Sequence, residues 1–360
     1  MGRGMSLLGL AAMIACLAAA ASAGPVGERH LTTTDATAAL RNADGGSNVR
    51  VTVWYPAVAG AVEQRLDLGP PGHPLFIVGA AAPDAPFADA RPRAVILFSH
   101  GFGGTARMMG WFGTALARAG YVVVAVDHPG NNGRDKMTAA GAILTWDRAQ
   151  DLAAALAAAK ADPAIGPHMD LGRLGVAGFS AGGFTTLVSA GAKVDMGRFV
   201  AFCRVHPADG VCAPQKEFAM TQDEAQQALS ANPALAAEAA HAGDDHAIPG
   251  VRAAFAIAPA IVQALPPEGL ARVKPPVAII LGDIDPVAPP ATNGLVAAKW
   301  IPNAELKVLP GVGHYDFLST CTADGAAQVP ICSAKVSQDE THKAAIDMAL
   351  TFFGRALGAP

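Results

Sequence analysis

Continuous apolar runs at residues 94–98 (A-V-I-L-F), 121–126 and 174–178 read as strands buried on both faces. Each is followed by a stretch of helical period: 105–119, closed by Gly120 as a natural C-cap; 146–161, rich in alanine and stopped by Pro163; and 181 to about 190. An earlier segment, 49–55 (V-R-V-T-V-W-Y), alternates apolar and polar positions and ends at Pro56, the pattern of a half-exposed strand. Residues 56–93 are rich in Pro, Gly and Ala and offer one short strand at 75–78. Buried strands alternating with amphipathic helices predict an α/β fold, a mostly parallel sheet with helices on both faces.

The rhythm breaks between 191 and 250. That stretch holds two cysteines, an Ala- and Gln-rich helical segment at 218–242 and the polar run Gly243-Asp244-Asp245-His246, without a clear buried strand. It reads as an insertion over the sheet's edge, cap-like in position. Strands resume at 251–258, 276–281 and 306–309, and a final helix covers 338–357. The expected organisation is one domain over 24–360 that carries 191–250 as a cap-like insertion.

Composition excludes some partners. The chain has 360 residues, 51% hydrophobic and 16% charged, with a net charge of −4. Nothing in that balance attracts nucleic acid or an anionic membrane surface. Residues 1–23 have the form of a signal peptide: Arg3 ahead of an apolar stretch, then the small-residue site Ala21-Ser22-Ala23. The apolar stretch is too short and alanine-rich for a stable membrane span. Lipid attachment through Cys16 is the weaker reading, because Met13-Ile14-Ala15 departs from the usual Leu-rich signal. Export leaves four cysteines, Cys203, Cys212, Cys321 and Cys332, an even number that suggests disulfides. Three pairings are open; the short-range one, Cys203 with Cys212 and Cys321 with Cys332, is the simplest. Each such bridge removes about 2–3 kcal/mol of unfolded-state entropy. Zinc is the alternative, but no C-x-x-C spacing or His pair accompanies these cysteines. Asp244, Asp245 and His246 read as a solvated loop and not as a metal site.

The chemistry-bearing residues fall at strand ends. Gly178-Phe179-Ser180-Ala181-Gly182 fits G-x-S-x-G, the sharp strand-to-helix turn that lifts a serine hydroxyl over a parallel sheet. A serine needs a neutral imidazole to take its proton, and the imidazole needs a carboxylate to fix its tautomer. Gly282-Asp283-Ile284-Asp285 follows one later strand, and Gly313-His314-Tyr315-Asp316 follows the last. Either Asp283 or Asp285 suits the acid. An oxyanion needs two convergent backbone N–H groups. Ala181 is placed to supply one, and Phe102, in the turn His100-Gly101-Phe102-Gly103-Gly104, the other.

Taken as a set, these motifs resemble the α/β-hydrolase fold. Asp127-His128-Pro129-Gly130 and His314-Tyr315-Asp316-Phe317-Leu318 are similar, more narrowly, to the dienelactone-hydrolase-like branch related to platelet-activating-factor acetylhydrolases. The resemblance implies a Ser180–Asp285–His314 triad, Phe102 and Ala181 as oxyanion donors, and no cofactor. It favours Asp285 over Asp283, because the superfamily places the acid three residues after the glycine. Two departures stand out. Dienelactone hydrolases use a cysteine where this chain has Ser180, which favours ordinary carboxylic esters. The acetylhydrolases place the acid one strand earlier, where this chain reads Ala256-Ile257-Ala258-Pro259-Ala260. The implied activity is ester hydrolysis on a small-molecule or lipid ester. Acyl transfer or lyase chemistry uses the same groups, and a binding protein is the non-enzymatic alternative.

Overall fold

The computed structural model describes residues 24–332 and 335–360. The expected signal peptide, residues 1–23, and Cys16 lie outside the described residues. In chain order the strands are β1 (Val26–Thr34), β2 (Asn48–Pro56), β3 (Gln64–Leu68), β4 (Phe76–Pro83), β5 (Arg93–Ser99), β6 (Val122–Asp127), β7 (Met169–Phe179), β8 (Val251–Ile257), β9 (Val277–Gly282), β10 (Glu305–Leu309) and β11 (Thr320–Cys321). They form one sheet in the order β10-β9-β8-β7-β5-β6-β2-β1-β4-β11, with β3 paired to β4. From β6 to β10 every pairing is parallel. This is the predicted α/β architecture.

The pattern of β5 explains the layering. Val95 and Leu97 point to the core that holds Leu152 and Leu187; Ile96 and Phe98 point to the core that holds Phe112 and Phe353. The helices Arg148–Ala161 and Ala181–Ser189 cover the first face, and Gly110–Arg118 and Gln338–Leu357 the second. A strand covered on both faces has no polar alternation, which is why it reads as one continuous run.

Three expectations are corrected. Residues 49–55 are not half-exposed: Val51 and Val53 are buried in one core and Trp54 in the other. The reason is that β2 is an interior strand with β1 beyond it, so helices cover both its faces: Trp54 packs against the helix Gly110–Arg118, and Val51 and Val53 share the core of the helix Arg148–Ala161. The segment 218–242 is not one helix but two, Gln222–Ala231 and Pro233–Ala239. Pro233 has no N–H to give the first helix, and Asn232 instead caps the second by accepting from Ala234 N–H and Leu235 N–H. The short strand at 75–78 is the start of the longer β4, held between β3 and β1.

The stretch 191–250 contains helices and no strand. It leaves the sheet between two interior strands, β7 and β8. The helix Met196–Val205 begins it, capped by the Asp195 carboxylate on Arg198 N–H.

Candidate active site

β7 ends at Phe179 and the helix Ala181–Ser189 follows, so Ser180 alone makes the turn. Its φ of 58° and ψ of −118° put a non-glycine residue in a strained region. Two bonds pin it there: Ser180 N–H donates to Ile257 O at 2.9 Å, and Ala260 N–H donates to Ser180 O at 3.1 Å. A Cβ on Gly182 would run into Ser99 O, and one on Gly178 into the Gly182 carbonyl. The glycines of G-x-S-x-G are therefore steric requirements of the strand–helix crossing.

The structure brings Ser180, His314 and Asp285 together. Ser180 Oγ lies 2.8 Å from His314 Nε2, and His314 Nδ1 lies 2.6 Å from Asp285 Oδ2. The other oxygen, Oδ1, accepts from Val287 N–H and Ala288 N–H, both at 2.8 Å. An ionised carboxylate only accepts, so the imidazole proton resides on Nδ1 and Nε2 is left to accept the serine hydroxyl. All three side chains are buried, and the imidazole packs against Phe179. Asp283 is elsewhere: exposed, its Oδ1 accepts Gly311 N–H at 2.6 Å and ties the β9 turn to the β10 turn.

Ala181 follows Ser180 in the chain, and Phe102 borders the same space as Ser180. Among the described residues neither N–H has a hydrogen-bond acceptor. That of Ala181 is one of the orphan donors at a helix start. The Phe102 loop is held by Gly104 N–H on Gly101 O (3.1 Å), Gly103 N–H on Asn131 Oδ1 (2.8 Å) and Ala106 N–H on Asp127 Oδ1 (2.8 Å). Asp127 and Asn131 belong to the 127–133 stretch, whose first four residues carry part of the resemblance but whose hold on the Phe102 loop the sequence does not show.

Behind that loop lies a buried polar network the sequence reading missed. His100 Nε2 accepts from His128 N–H at 3.1 Å, so Nδ1 donates to Gly101 O at 2.6 Å. Burial, with His128 and Arg148 beside it, holds His100 well below the usual histidine range. It is a neutral brace. His128 Nδ1 donates to Asp151 Oδ2 at 2.8 Å and Nε2 accepts from Ser99 Oγ at 2.9 Å. Burial, then Arg148 and Arg41, likewise push His128 well down. Arg41 grips both oxygens of Asp151, at 2.8 and 2.7 Å, and reaches Asp35 at 3.0 Å. Arg148 donates to the His100 carbonyl. The members run from residue 35 to 151, a span that local patterning does not connect.

The loop carrying His314 is fixed from two sides. Gly313 N–H donates to Asp316 Oδ2 at 2.7 Å, and burial, helped by Asp285, holds Asp316 above the usual carboxylate range. Trp111 Nε1 donates to Phe317 O at 3.0 Å, and His342 Nε2 donates to Leu318 O at 2.8 Å while its ring stacks on Trp111. Burial pushes His342 down to about 4. Unfolded, the same imidazole titrates near 6.5. The unfolded chain therefore binds the extra proton between these values, so the stability is fully present above pH 6.5 and is lost as pH falls toward 4. Between pH 7 and pH 4 the wild type is expected to lose about 3 kcal/mol more than His342→Gln, measured by urea unfolding at each pH. Equal losses would refute the assignment.

Two cavities meet at Ser180. The larger, about 850 Å³, is bounded by Phe102, Thr145, Trp146 and Ala181 and roofed by side chains of the 191–250 stretch, among them Met196, Phe199 and Leu229. The smaller, about 120 Å³, is bounded by Met108, Phe179, His314, Tyr315, Leu318 and Ile331. His128 faces neither. Cys203 and Cys212 are at disulfide distance (Cα–Cα 5.1 Å), as are Cys321 and Cys332 (5.9 Å). Among the described residues no cluster of His, Cys, Asp and Glu is placed to hold a metal ion, and no helix is long and apolar enough to cross a membrane. In the polar run of the insertion, His241 pairs with Asp244 at 2.9 Å at the surface.

A serine at a strained strand-to-helix turn, over the ends of parallel strands, defines the hydrolase class that the motifs resemble. Comparison then gives the family: residues 96–327 match the alpha/beta hydrolase family, more than half of the chain, and the chain belongs to it. Among solved structures it is similar to a ferulic acid esterase from Streptomyces cinnamoneus, at 19% identity over 94% of this chain and 92% of that one, with a TM-score of 0.58. That likeness carries the fold. No curated protein matches the chain.

Proposed function

We propose that this chain is an exported serine hydrolase that cleaves carboxylic esters through Ser180, His314 and Asp285. The carrying observation is the unbroken set of bonds from Asp285 through His314 to Ser180 Oγ, at the junction of two apolar cavities. Ser180 Oγ attacks the ester carbonyl while His314 Nε2 takes its proton. The carbonyl oxygen, now an anion, rests on the N–H groups of Phe102 and Ala181. His314 returns the proton to the departing alcohol, and water then cleaves the acyl-enzyme by the same route in reverse. Asp285 keeps Nδ1 protonated throughout.

Residues 24–360 form the hydrolase domain and 191–250 its cap. The signal-like residues 1–23 and the two cysteine pairs support export. The His314-to-Leu318 run supports placement near the dienelactone-hydrolase and acetylhydrolase branch, although an acid after β9 sets it apart from the acetylhydrolases. A fluorophosphonate probe tests the reading. The wild type is expected to take up one label per chain, on the peptide containing Ser180, and Ser180→Ala none. An unlabelled wild type, or a label on another serine, overturns it.

A further inference from the structure

The two cavities at Ser180 differ in size and in what borders them, and the difference orients the substrate. At the tetrahedral stage the reacting carbon carries four groups: Ser180 Oγ, the oxyanion, the alcohol oxygen and the acyl carbon. The oxyanion is directed to the N–H groups of Phe102 and Ala181. The alcohol oxygen must face His314 Nε2, because that nitrogen returns the proton as the carbon–oxygen bond breaks. The acyl carbon takes the remaining direction.

His314 borders the small cavity and not the large one; Ala181 borders the large one and not the small. We infer that the small cavity receives the alcohol and the large cavity the acyl group, so that the substrates are esters of a bulky apolar acid with a short alcohol. The inference rests on the proposed roles of Ser180 and His314. At roughly 30 Å³ per water, about 120 Å³ holds about four waters' worth of matter, the scale of methanol to propanol. The large cavity has about seven times that volume and walls from Ile143, Trp146, Met196, Phe199, Phe218 and Leu229, which suit an alkyl or aryl acid. The short alcohol leaves on the His314 side, and the vacated small cavity gives the hydrolytic water its place against Nε2. One bond forms at each stage as one breaks: the serine proton leaves on the alcohol, and a proton taken from the hydrolytic water restores Ser180 Oγ.

Two isomeric esters test this without a difference in composition. Ethyl hexanoate places the long chain on the acyl side, and hexyl acetate places it on the alcohol side. Ethyl hexanoate is expected to have a kcat/KM at least about tenfold higher, read by acid release. Ala225→Trp, on the cap helix Gln222–Ala231 that lines the large cavity, is expected to shrink that ratio about tenfold. Met108→Ala, which opens the small cavity, shrinks it by raising hexyl acetate turnover instead. Equal or reversed preference in the wild type, or turnover of neither ester, overturns the assignment. Ser180→Ala separates the levels. If that variant still turns over either ester, the serine reading itself fails; if it is dead and the preference is reversed, only the orientation fails.

Discussion

Ser180→Ala is expected to lower kcat for p-nitrophenyl acetate by about 10⁶-fold, and Asp285→Asn by about 10⁴-fold. The two losses have different origins. On the proposed mechanism no acyl-enzyme forms without Oγ, and the remaining rate comes from the proposed oxyanion donors and from holding the ester in place. With Asn at 285 the serine is intact, but the amide offers an N–H where a carboxylate accepted one. His314 then has reason to carry its proton on Nε2, where it blocks acceptance from Ser180 Oγ at 2.8 Å. Asp283→Asn is the control: it keeps an acceptor for Gly311 N–H, lies at the surface and is expected to change kcat less than about tenfold. A loss at Asp283 as large as that at Asp285 would overturn the assignment of the acid. So would a double variant, Ser180→Ala with Asp285→Asn, in which the two losses multiply, since groups that act as one unit do not add.

What the sequence makes legible is local in origin. The elbow is written in five consecutive residues because sterics of adjacent backbone demand small side chains there, and the strands beside it read as apolar runs because both faces are covered. The residues that meet at Ser180 were legible to within a choice of two aspartates, since each sits in the short loop after a strand. In the antiparallel half β2 and the start of β4 were legible, and β1 and β3 were not. β1 carries the β-branched run Thr32-Thr33-Thr34, which is too short to announce a strand by itself. Its partner is chosen by register with β2, from Val26 opposite Pro56 to Thr34 opposite Asn48, and no one-residue pattern encodes that. The break at Asn232–Pro233 was visible as a dipeptide, but alanine-rich flanks with high helix propensity obscured it. The partition of space at Ser180 was beyond reach, because it depends on side chains from the cap, the Phe102 loop and the His314 loop converging on one atom.

Asp151→Ala is expected to destabilise the fold by about 3–5 kcal/mol, the cost of removing one partner from a buried ion pair. Asp151 is fully buried and serves Arg41 through two bonds and His128 through a third. Arg148 adds a second buried guanidinium, pulled down to about 9 by desolvation against the opposing field of Asp151. Among the described residues its Nε and Nη1 have no hydrogen-bond partner. Alanine at 151 leaves two buried cations with less anion than before, and a histidine whose N–H has lost its acceptor. The loss will appear as a lower urea midpoint with an unchanged slope, because the surface exposed on unfolding is the same. It will also reach the proposed oxyanion loop. Ser99 and His100 are anchored on His128 and Arg148, so fluorophosphonate labelling of Ser180 should slow in folded Asp151→Ala. Asp347→Ala supplies the contrast, since that carboxylate pairs with Lys343 in open solvent and its removal should leave both the midpoint and the labelling rate unchanged. A midpoint in Asp151→Ala equal to the wild type's would mean that the buried network carries no net stability, and that the loop bearing Phe102 is held by Asp127 and Asn131 alone.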